Sequence, residues 1–453
     1  MDTSNQQAKS LHRDADKYVL TPMLRERRMI YTRGQGCRLW DVEGNEYLDA
    51  VSGTNGVALI GHSHPRVADA VSAQLRQLSS HFLNAASPVQ IELARRISDI
   101  SPTGPAKTYL CPGGGEAVEA ALKLAMRITG RGEVISVHGA YHGTGFGGLG
   151  LLGLPSVREW FPGGVRWPSF QQAPNADPYR PTVGTSEDWR PAARALAAAI
   201  DRGTFHNVAA VILELVQGPG GHVQFPVGYV QEVRRITEER GILLIIDEVQ
   251  TALARSGSMW CCDHYDIKPD IIVIGKAWGG GFPFGGVIAD AGLITREIEA
   301  DPWHVLTFQN QPLQAAAALA VLDIVEEDGL IERAAAIGRR ARERFLTMAE
   351  RHEVIGDVRG PGLFIGVDLV VDRDTREPAT EACAGALDYG LDLGLLIYFG
   401  GAGNVLKFKP PAVTDDADVE LMLDRCEQVI AHVQQLVEAG RTGTAADPLG
   451  AAT

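Results

Sequence analysis

Two apolar runs constrain this chain more than any other feature: GILLIID over residues 241–247 and DIIVIGK over residues 270–276. Runs of that length without polar alternation predict strands buried on both faces, the pattern of a parallel sheet covered by helices. Each run stops at one ionisable residue, Asp247 in the first and Lys276 in the second. In open α/β sheets, ligands sit beyond the carboxyl ends of such strands. A carboxylate and an amine are therefore expected on one edge of one sheet.

The surrounding pattern supports such a sheet. From about residue 100 to 320, strand-like and helix-like segments alternate, the signature of an α/β domain. A helix over 116–126 follows a glycine triplet, and strand 134–137 precedes Tyr141-His142-Gly143. Helix 191–200 leads to strand 208–216, and helix 227–240 to strand 242–247. The crossover between Gln250 and Ile274 is punctuated by Arg255-Ser256-Gly257, which argues against one regular helix there. An alanine-rich helix is predicted over 311–325. Beyond it, short strands at 363–369 and 405–408 and a last helix ending near Gly440 read as α+β. Toward the N-terminus, a polar arm is expected up to about residue 20. Two short strand-like runs then flank the turn Glu43-Gly44-Asn45, and a helix follows His64-Pro65. The expected fold is α/β. A large domain over 56–328 carries a mostly parallel central sheet, and 329–440 forms a smaller α+β domain with part of 1–55. Residues 441–453 are expected to be disordered.

Composition narrows the partners. The net charge is −14, with no extended Lys/Arg block. Phosphate backbones select a basic footprint, so nucleic acid is not an expected partner. The six cysteines are scattered without CxxC spacing, which predicts reduced thiols and no zinc site. The first residues, MDTSNQQAKSLHRDADK, lack an apolar signal core, and no apolar run has the length of a membrane span. A cytoplasmic enzyme is expected.

The Asp247–Lys276 pair suits pyridoxal phosphate: a lysine to form a Schiff base, and a carboxylate to keep the pyridine nitrogen protonated. Desolvation at a strand end lowers an amine pKa and helps make it a nucleophile. Val249 would share the side of Asp247 and could pack on the cofactor ring. Gln250 could reach the phenolic oxygen, and Glu248 points away as a structural residue. Gly113-Gly114-Gly115 before a helix is either a tight turn or a phosphate cradle of free amides. Tyr141 and His142 are either a core tyrosine with a surface histidine or a pair beside a stacked ring. Glu214 interrupts VAAVILELV; a lone acid in a buried strand needs a partner, which suggests a supporting role behind the cofactor.

These residues are similar to a known family. The chain resembles the class III aminotransferases, pyridoxal-phosphate enzymes of fold type I, from about Pro22 to the last helix. The segments that carry the likeness are DEVQTALARSG, GKAWGGGFPFGGV, LWDVEGNEYLDAVSG with GHSHP, AYHG, and TFQNQPLQAAAALAVL. The resemblance implies Lys276 as Schiff-base lysine and proton shuttle, Asp247 on the pyridine nitrogen, and Tyr141 and Val249 on the two ring faces. It implies Gln250 near the phenolic oxygen and Gly114 and Gly115 on the phosphate. Thr307 would reach the phosphate of the neighbouring subunit, which implies a homodimer with shared active sites, or a tetramer built from it. The substrates implied are a small amino donor and a carbonyl acceptor.

Four departures bear on substrate. The phosphate loop reads Gly113-Gly114-Gly115 and lacks the family's usual hydroxyls. Lys407, in NVLKFKPP, replaces an arginine that grips the substrate carboxylate. Pro219 stands where ω-amino-acid members carry a masking glutamate, and Ala252 replaces a glycine. Lysine offers a point charge rather than a bidentate fork. Asn55 and Asn84 fall where the family lines its substrate pocket, so a polar or anionic substrate is expected. LKFKPP also looks like the same stretch in the family's amino-alcohol-phosphate phospholyases. Transamination is the leading expectation. The alternatives are a phospho-lyase, decarboxylase or epimerase of the same fold, and a non-enzymatic binding protein.

Overall fold

The computed structural model describes residues 2–23, 27–158 and 169–440. Its centre is a seven-stranded sheet: β1 Ala106–Cys111, β2 Glu133–Val137, β3 Phe170–Ala173, β4 Val208–Leu213, β5 Leu243–Asp247, β6 Ile271–Gly275 and β7 Gly285–Asp290. The spatial order is β1-β7-β6-β5-β4-β2-β3. The pairs β6–β5, β5–β4, β4–β2 and β2–β3 are parallel. Only β7 runs against its neighbours β6 and β1. The sheet is thus mostly parallel, as the continuous apolar runs predict.

Alternation along β5 places its terminal carboxylate. Successive strand side chains point to opposite faces. Leu243 and Ile245 join the core under helix Gly114–Thr129, while Leu244 and Ile246 join the core on the other side. Asp247 follows the odd-numbered set and so opens toward the start of that helix. Each leucine or isoleucine fully buried here contributes about 1.5–3 kcal/mol of transfer free energy. A one-residue slip in register would move all of them to the wrong face.

Helix Val227–Glu239 packs on β5 and helix Pro88–Ile100 on β1. The helix predicted over 311–325 spans Pro312–Glu327. The crossover after Gln250 carries only a short 3-10 turn, Cys261–His264. Outside the central sheet, strands Tyr31–Gln35, Arg38–Asp41 and Glu46–Asp49 form an antiparallel meander. Leu395–Leu396 joins it in parallel and ties the two ends of the chain together. A second antiparallel sheet contains Ile355–Arg359, Ile365–Asp372, Val405–Phe408 and Phe399–Gly400.

Two expectations need correction. The polar arm is a helix, Asp2–Tyr18. Its Gln, Ala, Lys, Leu and Arg residues are good helix formers. Ala8 is buried, and His12 reaches Glu43 at 2.7 Å. The strand expected over 208–216 ends at Leu213, because Glu214 leaves the ladder to serve as an acceptor described below. The tail 441–453, expected to be disordered, lies outside the described residues. Among the described residues, no helix is long and apolar enough to cross a membrane.

Candidate active site

Four strand ends and one helix start meet at the carboxyl edge of the sheet. They enclose a cavity of ≈ 340 Å³ lined by Gly114, Gly115, Tyr141, His142, Glu214, Asp247, Val249, Gln250 and Lys276, among others. Asp247 is almost fully buried. Its Oδ2 lies 2.8 Å from His142 Nδ1, and its Oδ1 accepts the Val249 N–H at 3.1 Å. His142 is a buried partner of the carboxylate, not a surface residue. Its Nε2 has no hydrogen-bond partner among the described residues.

Lys276 follows β6 directly and adopts a left-handed backbone, φ 49°. A lysine in that region carries strain of order 1 kcal/mol, and such strain collects at functional sites. Burial lowers its pKa, and the carboxylates of Asp247 and Glu214 oppose that shift. Glu214 accepts the Tyr141 N–H through Oε1 and the Gly218 N–H through Oε2, each at 2.8 Å. Burial pushes its pKa up to about 7; His142 opposes this and Asp247 adds to it. Glu214 therefore fixes the loop that carries Tyr141. Glu248, predicted to be structural, is fully buried and accepts the Cys262 N–H at 2.9 Å.

The glycine loop opens helix Gly114–Thr129, and no side chain caps that helix. Gly114 lies under Val249: a Cβ there would sit 2.9 Å from Val249 Cγ1. Gly143, at φ 91°, brings the Tyr141-His142 turn within 2.9 Å of Gly115 Cα, measured from a notional Cβ. A Cβ on Gly115 itself would meet nothing within 4 Å, so the helix start faces open cavity. Uncapped N–H groups at a helix start attract phosphate. With a buried carboxylate for a pyridinium, an amine and an aromatic ring on the same walls, the donor set fits pyridoxal phosphate.

Not every sequence-derived candidate reaches these walls. Lys407 is almost fully buried, with Nζ 5.1 Å from the Tyr398 ring centroid and its chain packed over Gly400. Burial pushes its pKa down to about 7, with Glu214 opposing and Lys276 assisting. Asn55, at φ 58°, accepts a hydrogen bond from Lys409 rather than facing the cavity. Thr307 is exposed. Asn84 is also exposed and lines a separate cavity of ≈ 500 Å³ with Tyr109, Trp303 and Gln309.

Sequence reasoning missed Lys409 and Arg255. Lys409 Nζ donates to Gln250 Oε1 at 3.2 Å and to Asn55 Oδ1 at 3.1 Å. The two-residue spacing in LKFKPP would have put it on the side of Lys407. Arg255 is buried and donates to the carbonyls of Leu363, Lys409 and Pro410 and to Ser52 Oγ.

The sequence matches the family described as aminotransferase class-III over residues 22–430. The chain belongs to the class III aminotransferases. It is a pyridoxal-phosphate-dependent transaminase. The aminotransferase is 38% identical to a diaminobutyrate–2-oxoglutarate aminotransferase of Rhizobium meliloti, over 85% of this chain and 84% of that protein. It is 32% identical to a leucine/methionine racemase of Thermococcus litoralis, over 92% of each. Among solved structures it resembles an (S)-enantioselective omega-transaminase from Thermomicrobium roseum. The TM-score is 0.87 and the identity 29%, over 94% of this chain and 99% of that one.

Proposed function

We propose that this aminotransferase moves the amino group of a polar or anionic amino acid or amine to a keto acid or aldehyde, with Lys276 and Asp247 as its catalytic residues. The observation that carries the reading is the convergence of Lys276, Asp247 and an uncapped glycine helix start on one cavity. Bound pyridoxal phosphate supplies an electron sink for the carbanion formed when the amino carbon loses its proton.

The chain's own residues do the rest. The amides of Gly114 and Gly115 would hold the phosphate. Asp247, oriented by His142 and the Val249 N–H, would keep the ring nitrogen protonated. Val249 and Tyr141 would pack on the ring. Lys276 would be the nucleophile that holds the cofactor, and its Nζ would take the proton from the amino carbon of the substrate, a role that its lowered pKa favours. Glu214 holds the Tyr141 backbone, and Gln250 lies against Gly218, whose N–H Glu214 also accepts. Lys407 is the amine we assign to the substrate's anionic group, and a side-chain movement off Tyr398 into the wetter cavity would deliver it in charged form. Asn55 stands behind that side, held by Lys409, while Asn84 lines a separate cavity and is given no substrate role.

The assembly we propose is a homodimer, alone or as half of a tetramer, in which Thr307 binds the phosphate of the neighbouring subunit. Its exposure beside Val305 and Phe308, both more than half exposed, supports that role. A cytoplasmic location is supported by six buried, unpaired cysteines. The domain division proposed is 56–328 for the cofactor domain, with 329–440 and part of 1–55 as the smaller one.

The relationship to a racemase favours a second reading, epimerisation at the amino carbon, in which the proton returns to either face. One experiment separates the two. Holoenzyme is mixed with single amino donors and no acceptor. Transamination converts the visible cofactor band to that of pyridoxamine phosphate. Epimerisation leaves the band in place while optical rotation decays and solvent deuterium enters the amino carbon. Lys276→Ala loses the resting band in either case. A wild-type protein with no such band refutes both.

A further inference from the structure

Gln250 lies on the cavity wall, and its amide can present either an oxygen or an NH₂ to whatever is bound there. Three contacts decide which. Lys409 Nζ donates to Gln250 Oε1 at 3.2 Å and to Asn55 Oδ1 at 3.1 Å. An ammonium has three donors and no lone pair, so both amides must turn their oxygens toward it. Gly218 forms the floor: a Cβ there would sit 2.7 Å from Gln250 Nε2. The amide therefore lies flat against the backbone, with its oxygen spent on the lysine.

Lys409 is itself held rigidly. Its N–H donates to the Ala50 carbonyl at 2.8 Å. Its carbonyl accepts from Ser52 Oγ at 2.6 Å and from Arg255 Nη1 at 2.9 Å. The side chain is fully buried, with its amine 5.4 Å from the Phe364 ring centroid. Burial, then Lys407, Arg255 and Lys276, lower its pKa, and Asp49 opposes them. A neutral amine would still have two N–H groups for the two oxygens.

We propose that Lys409 is a positioning residue that fixes Gln250 as a hydrogen-bond donor toward an anionic oxygen in the cavity. That oxygen belongs either to the cofactor ring or to the substrate carboxylate. The inference rests on the reading that the cavity holds the cofactor.

The test is a double-mutant cycle on holoenzyme with Lys409→Met, Gln250→Ala and both together. Two quantities are read: the pH midpoint of the visible cofactor band without substrate, and the apparent affinity for an amino acid against its decarboxylated amine. If the acceptor is the ring oxygen, Lys409→Met raises the band midpoint by about half to one pH unit, one hydrogen bond's worth. If it is the substrate carboxylate, the midpoint holds and affinity for the amino acid falls about fivefold relative to the amine. In both cases the effect vanishes in the Gln250→Ala background. An equal effect in both backgrounds assigns it to the field of the lysine and overturns the proposal, as does no effect in either. Should Lys409→Met not fold, Gln250→Glu answers instead: a carboxylate cannot donate, so it must perturb the same readout more than Gln250→Ala, and equal perturbation overturns the proposal. A wild-type protein without a visible band refutes the cavity reading, not the role of Lys409.

Discussion

Lys407→Met should make the protein more stable, and by an amount set by pH. The Lys407 amine is buried, and its pKa falls from 10.5 to about 7. A depressed lysine contributes stability that is present above its unfolded pKa and lost as pH falls toward its folded one. At pH 8 the folded amine is mostly neutral while the unfolded one is charged. Discharging it across about 2.5 pH units costs about 3 kcal/mol at 1.36 kcal/mol per unit. At pH 10 the same arithmetic gives less than about 1 kcal/mol, and below pH 7 the cost levels off near about 5 kcal/mol. Methionine has nearly the shape of lysine without the charge, so packing over Gly400 is retained. Urea unfolding of the apoenzyme and its variant at pH 8 and pH 10 measures the difference. The expected gain is about 3 kcal/mol at pH 8, shrinking at pH 10, with weaker binding of an anionic donor. A variant less stable than wild type at pH 8, or a gain equal at both pH values, would refute the argument that Lys407 is retained at a cost for substrate binding.

Two further outcomes follow from buried hydrogen bonds. His142→Ala removes the 2.8 Å partner of Asp247 Oδ2, and hydrogen bonds to charged groups are worth about 1.5–3 kcal/mol, so cofactor affinity by equilibrium dialysis should fall more than about tenfold. Arg255→Lys cannot reach three carbonyls and Ser52 Oγ at once; leaving buried acceptors unpaired should destabilise the apoenzyme by about 2–4 kcal/mol in urea titrations.

The cofactor side of the site was legible because local patterns place it. Period-two alternation and strand ends put Asp247, Lys276 and Tyr141 on one edge, and a glycine run before an alanine-rich helix marked the phosphate loop. The substrate side was less legible. Whether Lys407 or Lys409 reaches the cavity depends on where a second sheet meets the first, and no local period reports that. The roles of Asn55 and Asn84 fail for the same reason: Asn55 is claimed by Lys409, and Asn84 lines a different cavity. The strand end at Glu214 was misjudged because an apolar run continues through it, while one of the acid's two N–H partners, Tyr141, comes from a segment far away in the chain. The N-terminal arm is a helix that polarity alone does not announce, because its apolar positions are few and its helix formers are mostly polar.

The single antiparallel strand, β7, governs the order in which this protein can be built. β1 carries the glycine loop at its end and lies at the sheet's edge, with β7 as its only sheet neighbour among the described residues. Between 174 residues (Cys111 to Gly285) and 184 residues (Ala106 to Asp290) separate the paired positions, a loop whose closure is slow and entropically costly. A chain emerging from the ribosome therefore has β2, β4, β5 and β6 available to pair well before β1 can dock. The strand that leads into the phosphate loop therefore pairs late, while the helix that the loop opens can already pack on β4, β5 and β6.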